Sequence, residues 1–361
     1  MWCSDLLLRN FRNFSQCRVR WHPGLNLLTG RNGAGKTNCL EGLHILLGWG
    51  PLGDRKDLRA WDGCEEYAFV TGNFSGGDDL FAAAAIGRTT VLKCDGQRIS
   101  SSDIRWKIPS LAFLPRDMTL IDGSPSGRRS FADRLCAVLF PLYAKRLSDF
   151  KRAVRHRTVL LRAGRALRPL SQAMATMAAW LWEARERAVT ALARELEDFG
   201  DLLPLPLSLE FHRGGGGRQR DPLADWWESL EAARERECRC CVPLVGPHRD
   251  DLLITSGGRA AGSLLSRGQK RRASVALMLA AGRVVERRLG KAPIILLDEI
   301  ASELDEEGRK STVAVLHRMG WQVIATAAEP VVRAWPGQVW RVDGGQVLPL
   351  SGAKCEEGRS S

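Results

Sequence analysis

Hydrophobic positions change period several times along this chain. Leu6–Leu8, Cys17–Trp21 and Leu25–Leu28 are short apolar runs that predict strands, the last running straight into a glycine-rich turn. Leu40, Leu43 and Leu47 then recur at helical spacing, widened by Ile45 and Leu46, and predict a helix over 37–47 packed on a sheet. Tyr67–Phe74, Leu80–Ile86 and Thr90–Cys94 alternate between breaks at Gly76-Gly77 and Gly87, which predicts an antiparallel group. From Gly123 the chain is strand-poor: 128–162 and 171–198 are rich in Ala, Leu and Arg and are broken at Gly164 and Pro169. A short strand over 205–211, a glycine loop at 214–217 and a helix over 222–240 follow. After Val242 strands (252–255, 293–297, 321–325) alternate again with helices (266–288, 306–319), the mark of an α/β fold.

This order predicts an α/β head in two halves, 1–120 and 243–350, separated by a helical insertion at 121–242 and followed by a small polar tail at 351–361. A site built by the head must therefore draw on both halves. With 44% hydrophobic residues the 361-residue chain is not disordered, and it can bury a proper core. The balance of 53 Lys+Arg against 41 Asp+Glu leaves a formal charge of +12, which favours polyanionic partners. Asp5 and Arg9 interrupt any apolar leader, and the longest charge-free run, Pro169–Trp182, is shorter than the ~20 residues that span a bilayer. A soluble, cytoplasmic protein is expected. The ten cysteines are scattered apart from Cys238, Cys240 and Cys241, which lack a second pair at zinc-finger distance and read as reduced structural thiols.

Three separated segments carry the chemistry. Gly30, Arg31, Asn32, Gly33, Ala34, Gly35, Lys36, Thr37 and Asn38 begin with the phosphate-loop pattern G-x-x-x-x-G-K-[ST] between a strand and a helix. The glycines let backbone N–H groups close on phosphates, Lys36 should reach the β- and γ-phosphates of ATP, and the Thr37 hydroxyl should ligate Mg²⁺. The aliphatic run Ile294–Leu297 reads as a strand buried on both faces, ending in Asp298, a Mg²⁺ ligand candidate, and Glu299, a candidate to polarise the attacking water. Ser266, Arg267, Gly268 and Gln269, within LLSRGQK, open a strongly helical run and resemble the signature motif of ABC-type ATPases. In such heads that motif meets the γ-phosphate held by the opposite subunit. Ser302 and Asp305, in SELD, resemble the D-loop that crosses the dimer interface of these ATPases.

A basic run lies in the insertion: Lys145, Arg146, Lys151, Arg152, Arg155, Arg157, Arg162, Arg165 and Arg168 against the single acid Asp149. At the helical period Lys151, Arg155, Arg162 and Arg165 fall within about a quarter-turn arc, and they are the candidate DNA-phosphate contacts. The alternative is a solvated face.

With these motifs in view the chain resembles the RecF family, bacterial recombination-repair ATPases related to the heads of SMC proteins. The likeness runs through LLLRNFRNF (6–14), PGLNLLTGRNGAGKTNCLEGL (23–43), FLPRDMTLIDGSPSGRRSFAD (113–133) and LVGPHRDDL (244–252). It implies an ABC-type P-loop ATPase head with an inserted helical subdomain. It also implies an ATP-dependent homodimer that binds DNA at single-strand gaps or junctions and, with RecO and RecR, helps RecA replace single-strand-binding protein. Arg31 and Arg116 stand where the family usually has acids, Asp117 is the nearest candidate for a Q-loop residue, and IATAAEP leaves Thr326 and Glu329 as imperfect matches to a Thr-rich segment ending in Asp. A transporter ATPase subunit would normally carry a signature Gly-Gly pair and a switch histidine, both missing here; an ATP-binding DNA scaffold with negligible turnover is a further reading.

Overall fold

Strand β12 (Ile294–Leu297) and strand β3 (Leu25–Thr29) are buried along their whole length, as aliphatic runs covered on both faces of a parallel sheet must be. They belong to a computed structural model that describes residues 1–53, 58–59, 65–216, 219–299, 304, 306–327 and 335–350. Ser302, Asp305, Glu329 and the tail 351–361 lie outside the described residues. The chain divides into two compact units, Met1–Met118 with Ser274–Ser361, and Thr119–Ala273.

In the first unit one sheet has the order β15-β14-β3-β13-β12-β8, with β8 (Ser110–Phe113), β13 (Val323–Thr326), β14 (Gln338–Asp343) and β15 (Gln346–Pro349). All its pairings are parallel except β14 with β15. Since β3, β13 and β12 are neighbours and point the same way, the segments after Thr29, Leu297 and Thr326 emerge side by side, where ligands of open parallel sheets bind. The second sheet is antiparallel, β2-β1-β4-β5-β6-β7, from β1 (Trp2–Phe11), β2 (Phe14–Arg20), β4 (Ala68–Ser75), β5 (Leu80–Ile86), β6 (Thr90–Cys94) and β7 (Gln97–Ile99). Helix α1 (Lys36–Leu46) touches β1, β4 and β5 of this sheet and β13 of the other. That position explains why Cys39 through Leu46 are all buried, Glu41 and His44 included. Strand β1 is longer than the run 6–8, because pairing with β2 and β4 on both sides holds polar residues such as Asp5 and Arg9 in the ladder.

The second unit is mainly helical: α3 (Pro125–Leu139), α4 (Tyr143–Arg162), α5 (Arg168–Leu196) and α6 (Pro222–Cys240), with a small sheet β11-β10-β9 (Arg259–Ala260, Asp251–Ser256, Ser208–His212). Pro169 does not break the helical segment there; it occupies the first turn of α5, where its missing N–H has no intrahelical partner to lose. The two family-like segments of this unit meet. Arg128 forms a bidentate pair with Asp251 at 2.8 and 2.9 Å, and Arg129 donates to the Asp250 carbonyl at 2.6 Å. Arg185, 1% exposed, joins Asp133, the Tyr143 hydroxyl, the Pro247 carbonyl and the Asp250 carboxylate. Burial alone would lower the Arg185 pKa, yet the facing carboxylates hold it well above the ordinary value. Asp250 in turn accepts from Trp182 Nε1 at 2.8 Å and the Gly214 N–H at 2.7 Å. The two most buried charges here, Arg185 and Asp250, therefore face each other. Among the described residues no helix is long and apolar enough to cross a membrane.

Candidate nucleotide site

Strand β3 delivers the chain to Gly30, and the loop that follows turns on left-handed backbone at Gly33 (φ 81°) and Gly35 (φ 108°) before α1 begins at Lys36. A side chain would be strained at both positions. The first N–H groups of α1 have no earlier turn to donate to, so they form an anion-binding end. Lys36 is buried, and its Nζ donates to the Gly30 carbonyl at 2.7 Å and the Arg31 carbonyl at 3.1 Å. The ammonium is thus held over the loop. Arg31 and Asn32 are exposed, Asn38 only partly buried.

The carboxylate at the end of β12 comes to this loop through one hydroxyl. Thr37 Oγ1 donates to Asp298 at 3.0 Å, and Thr326 Oγ1 at the end of β13 donates to the same oxygen at 2.8 Å. The Glu299 N–H donates to Thr326 Oγ1 at 2.9 Å, so one threonine links the two acids. Glu299 is exposed and lies at φ 51°, a left-handed conformation uncommon for a residue with a side chain and often found at functional sites. The Thr37 hydroxyl and Asp298 carboxylate are hard oxygen donors of the kind Mg²⁺ takes, so the residues present fit a nucleotide–Mg²⁺ pair. Asp117 is buried and accepts the Leu114 N–H at 3.0 Å, an engagement with its own turn.

No motif in the sequence marks Asn13. It lies in the turn between β1 and β2, where its Nδ2 donates to the Ala34 carbonyl at 2.9 Å and its Oδ1 accepts from Asn38 at 2.8 Å. Its neighbour Arg12 forms a buried ion pair with Glu41 of α1 at 2.8 Å. Thr326 was legible only as an imperfect match, since its bond to Asp298 depends on the pairing of β12 with β13.

In the second unit Ser266 and Gln269 form a reciprocal capping box at the start of α8 (Arg267–Leu289): the Gln269 N–H donates to Ser266 Oγ at 3.3 Å and the Ser266 N–H to Gln269 Oε1 at 2.9 Å. Lys270, one turn in, pairs with Asp122 at 3.0 Å. Arg267 is exposed and Gly268 partly buried.

The basic run divides by side-chain fate. Lys151, Arg155, Arg162 and Arg165 are exposed. Helix α4 ends at Arg162 and Gly164 turns left-handed at φ 60°, so Arg165 lies past the helix and the helical period does not place it on the face of the other three. Arg157 is buried against Glu237 at 2.5 Å and Ser171 at 2.6 Å. His248 is partly buried: its Nε2 faces the Pro243 carbonyl at 3.1 Å, and burial, reinforced by Arg249, pushes its pKa down to about 4. Cys238 and Cys240 are exposed rather than packed.

A phosphate loop on a parallel sheet, with an acid pair at the end of the next strand but one and an antiparallel second sheet, defines an α/β P-loop ATPase head. Residues 5–90 match the AAA domain family. The chain superposes on the recombination mediator protein RecF-ATPrS of the RecFOR pathway with a TM-score of 0.86 at 24% identity, covering 97% of this chain and 98% of that one. An SMC head bound to the C-terminal winged-helix domain of ScpA gives 0.57 at 17% identity, with 98% of each chain covered. A DNA replication and repair protein RecF of Roseiflexus castenholzii is 30% identical across 97% of this chain and 100% of its own length. One from Symbiobacterium thermophilum is 32% identical across 96% and 98%. The chain belongs to the RecF family of DNA replication and repair proteins.

Proposed function

We propose that this protein is an ATP-dependent DNA-binding switch. Its loop Gly30–Asn38 binds ATP, with Lys36 on the β- and γ-phosphates and with Thr37 and Asp298 holding Mg²⁺. The observation that carries this reading is the chain Thr37–Asp298–Thr326–Glu299, which draws a helix start and two strand ends into one cluster of oxygen atoms. A protein of the same fold solved with ATP lends support. When bound, Mg²⁺ and the nucleotide would supply a charge-neutralised phosphoryl group open to water. The residues of the chain do the rest: Lys36 supplies a fixed cation, Thr326 holds Asp298 and the Glu299 backbone, and the Glu299 carboxylate accepts a proton from water.

The halves 1–120 and 243–350 form the head and 121–242 the helical insertion. Ser266–Gln269 of one copy meets the γ-phosphate held by a second, with Ser302 and Asp305 at the same interface, so ATP drives homodimer formation. The capped helix start and its neighbouring cations support this, since such an end attracts anions. The exposed cations Lys151, Arg155, Arg162 and Arg165 contact DNA phosphates at gaps or junctions. With RecO and RecR, the dimer assists RecA loading.

The test is sedimentation with and without ATP. The parent should dimerise on ATP, and Ser266→Arg, which puts bulk and charge at the helix start, should bind ATP normally and stay monomeric. An unaltered dimer in the variant would remove the role of Ser266–Gln269.

A further inference from the structure

The turn between β1 and β2 is docked on the phosphate loop and on α1 at the same time. Arg12 takes φ 55° and grips Glu41 of α1 through two bonds, Nε to Oε2 at 2.8 Å and Nη2 to Oε1 at 3.1 Å. That ion pair is shielded from water on both sides, at 5% and 3% side-chain exposure. Asn13, beside it, donates to the Ala34 carbonyl and accepts from Asn38. A carbonyl can only accept, so the Asn13 atom facing Ala34 is the amide nitrogen; the oxygen is left for Asn38.

The peptide joining Ala34 to Gly35 is planar and trans, and its C=O and N–H point in opposite directions. With the carbonyl turned to Asn13, the Gly35 N–H points away from the hairpin. Gly35 itself sits at φ 108° and has no side chain, so its own conformational preference offers little resistance to rotation of this peptide. A Cβ built on Gly35 would fall on the Asn13 carboxamide, so Asn13 packs against Gly35 as well as bonding to Ala34.

We propose that Asn13 is a positioning residue for the nucleotide: it locks the 34–35 peptide so that the Gly35 N–H is presented to a phosphate at the start of α1. The inference rests on the reading of Gly30–Asn38 as an ATP site. Without the lock, the peptide samples a flipped state in which a carbonyl faces the anion. Nucleotide then enters only through the competent fraction, which lowers apparent affinity through the association rate.

The experiment is stopped-flow binding of a fluorescent N-methylanthraniloyl ATP analogue to the full chain, with thermal melting of the nucleotide-free protein alongside. Asn13→Ala removes both bonds. Asn13→Asp keeps the size and the acceptor facing Asn38 but cannot donate to Ala34, and so preserves the packing of the hairpin. Both variants should associate about tenfold more slowly, with dissociation within twofold of the parent and melting shifted by only a few degrees. Parental association rates in Asn13→Asp, or a loss confined to dissociation, would overturn the positioning role. A parent protein that fails to bind the analogue would instead overturn the ATP-site reading.

Discussion

Arg155 and Arg157 are two residues apart on α4, which at 100° per residue puts them nearly opposite each other, and the structure gives them opposite tasks. Arg155 is exposed, whereas Arg157 and Glu237 are 5% and 1% exposed and paired at 2.5 Å. Replacing Arg157 by Met leaves the Glu237 carboxylate buried with the Leu244 N–H at 2.7 Å as its remaining donor among the described residues. Breaking one side of such a pair costs about 3–5 kcal/mol, most of it the uncompensated charge. Removing both sides, in Arg157→Met with Glu237→Met, should bring stability back to within about 1 kcal/mol of the parent, because no charge is then stranded. Arg155→Gln should change stability by less than about 0.5 kcal/mol. In DNA binding it should reduce the slope of log K against log salt by about 0.9, the effect of one lost phosphate contact on duplex DNA. Urea denaturation and salt-dependent fluorescence anisotropy read these quantities. An Arg157→Met protein as stable as Arg155→Gln would refute the structural assignment; an unchanged slope in Arg155→Gln would make the exposed stripe a solvated face.

Glu299→Gln keeps the side-chain size but cannot accept a proton from water, so single-turnover hydrolysis should slow at least tenfold while the dimer on gapped DNA outlives an ATP chase; parental hydrolysis would remove Glu299 from catalysis. His248, whose pKa falls to about 4 in the folded chain, stays neutral there while the unfolded chain protonates below about 6.5. Stability should therefore be complete above that pH and decline as pH falls toward 4, by about 2 kcal/mol between pH 7 and pH 5. His248→Gln should remove that part of the acid sensitivity, and an identical pH profile in the variant would show that His248 does not titrate as its burial dictates.

Local chemistry made much of this legible. The period of α1, the glycines before it and the four aliphatic residues of β12 each speak for themselves, and the helices predicted over 222–240 and 306–319 coincide with observed elements. What escaped depends on contacts distant in sequence. Asn13 and Ala34 meet only because the hairpin folds onto α1, and Thr326 reaches Asp298 only through strand pairing. The strands β14 and β15 could have been read from the alternation around Gly344 and Gly345, which turn at φ 52° and 74°. Charge density does not separate these fates: the basic run contains Arg157, which is buried in an ion pair, and Arg165, which lies past the end of the helix.

A switch requires that ATP at the phosphate loop control DNA binding. The measurement is the affinity for gapped DNA, with and without ATP and Mg²⁺, for the parent and for Lys36→Ala, which removes the loop's buried ammonium. The parent should bind at least about tenfold more tightly with ATP, a coupling of about 1.4 kcal/mol, and Lys36→Ala should bind with its nucleotide-free affinity under both conditions. Equal affinities for the parent with and without ATP, or a full ATP response in Lys36→Ala, would contradict the switch.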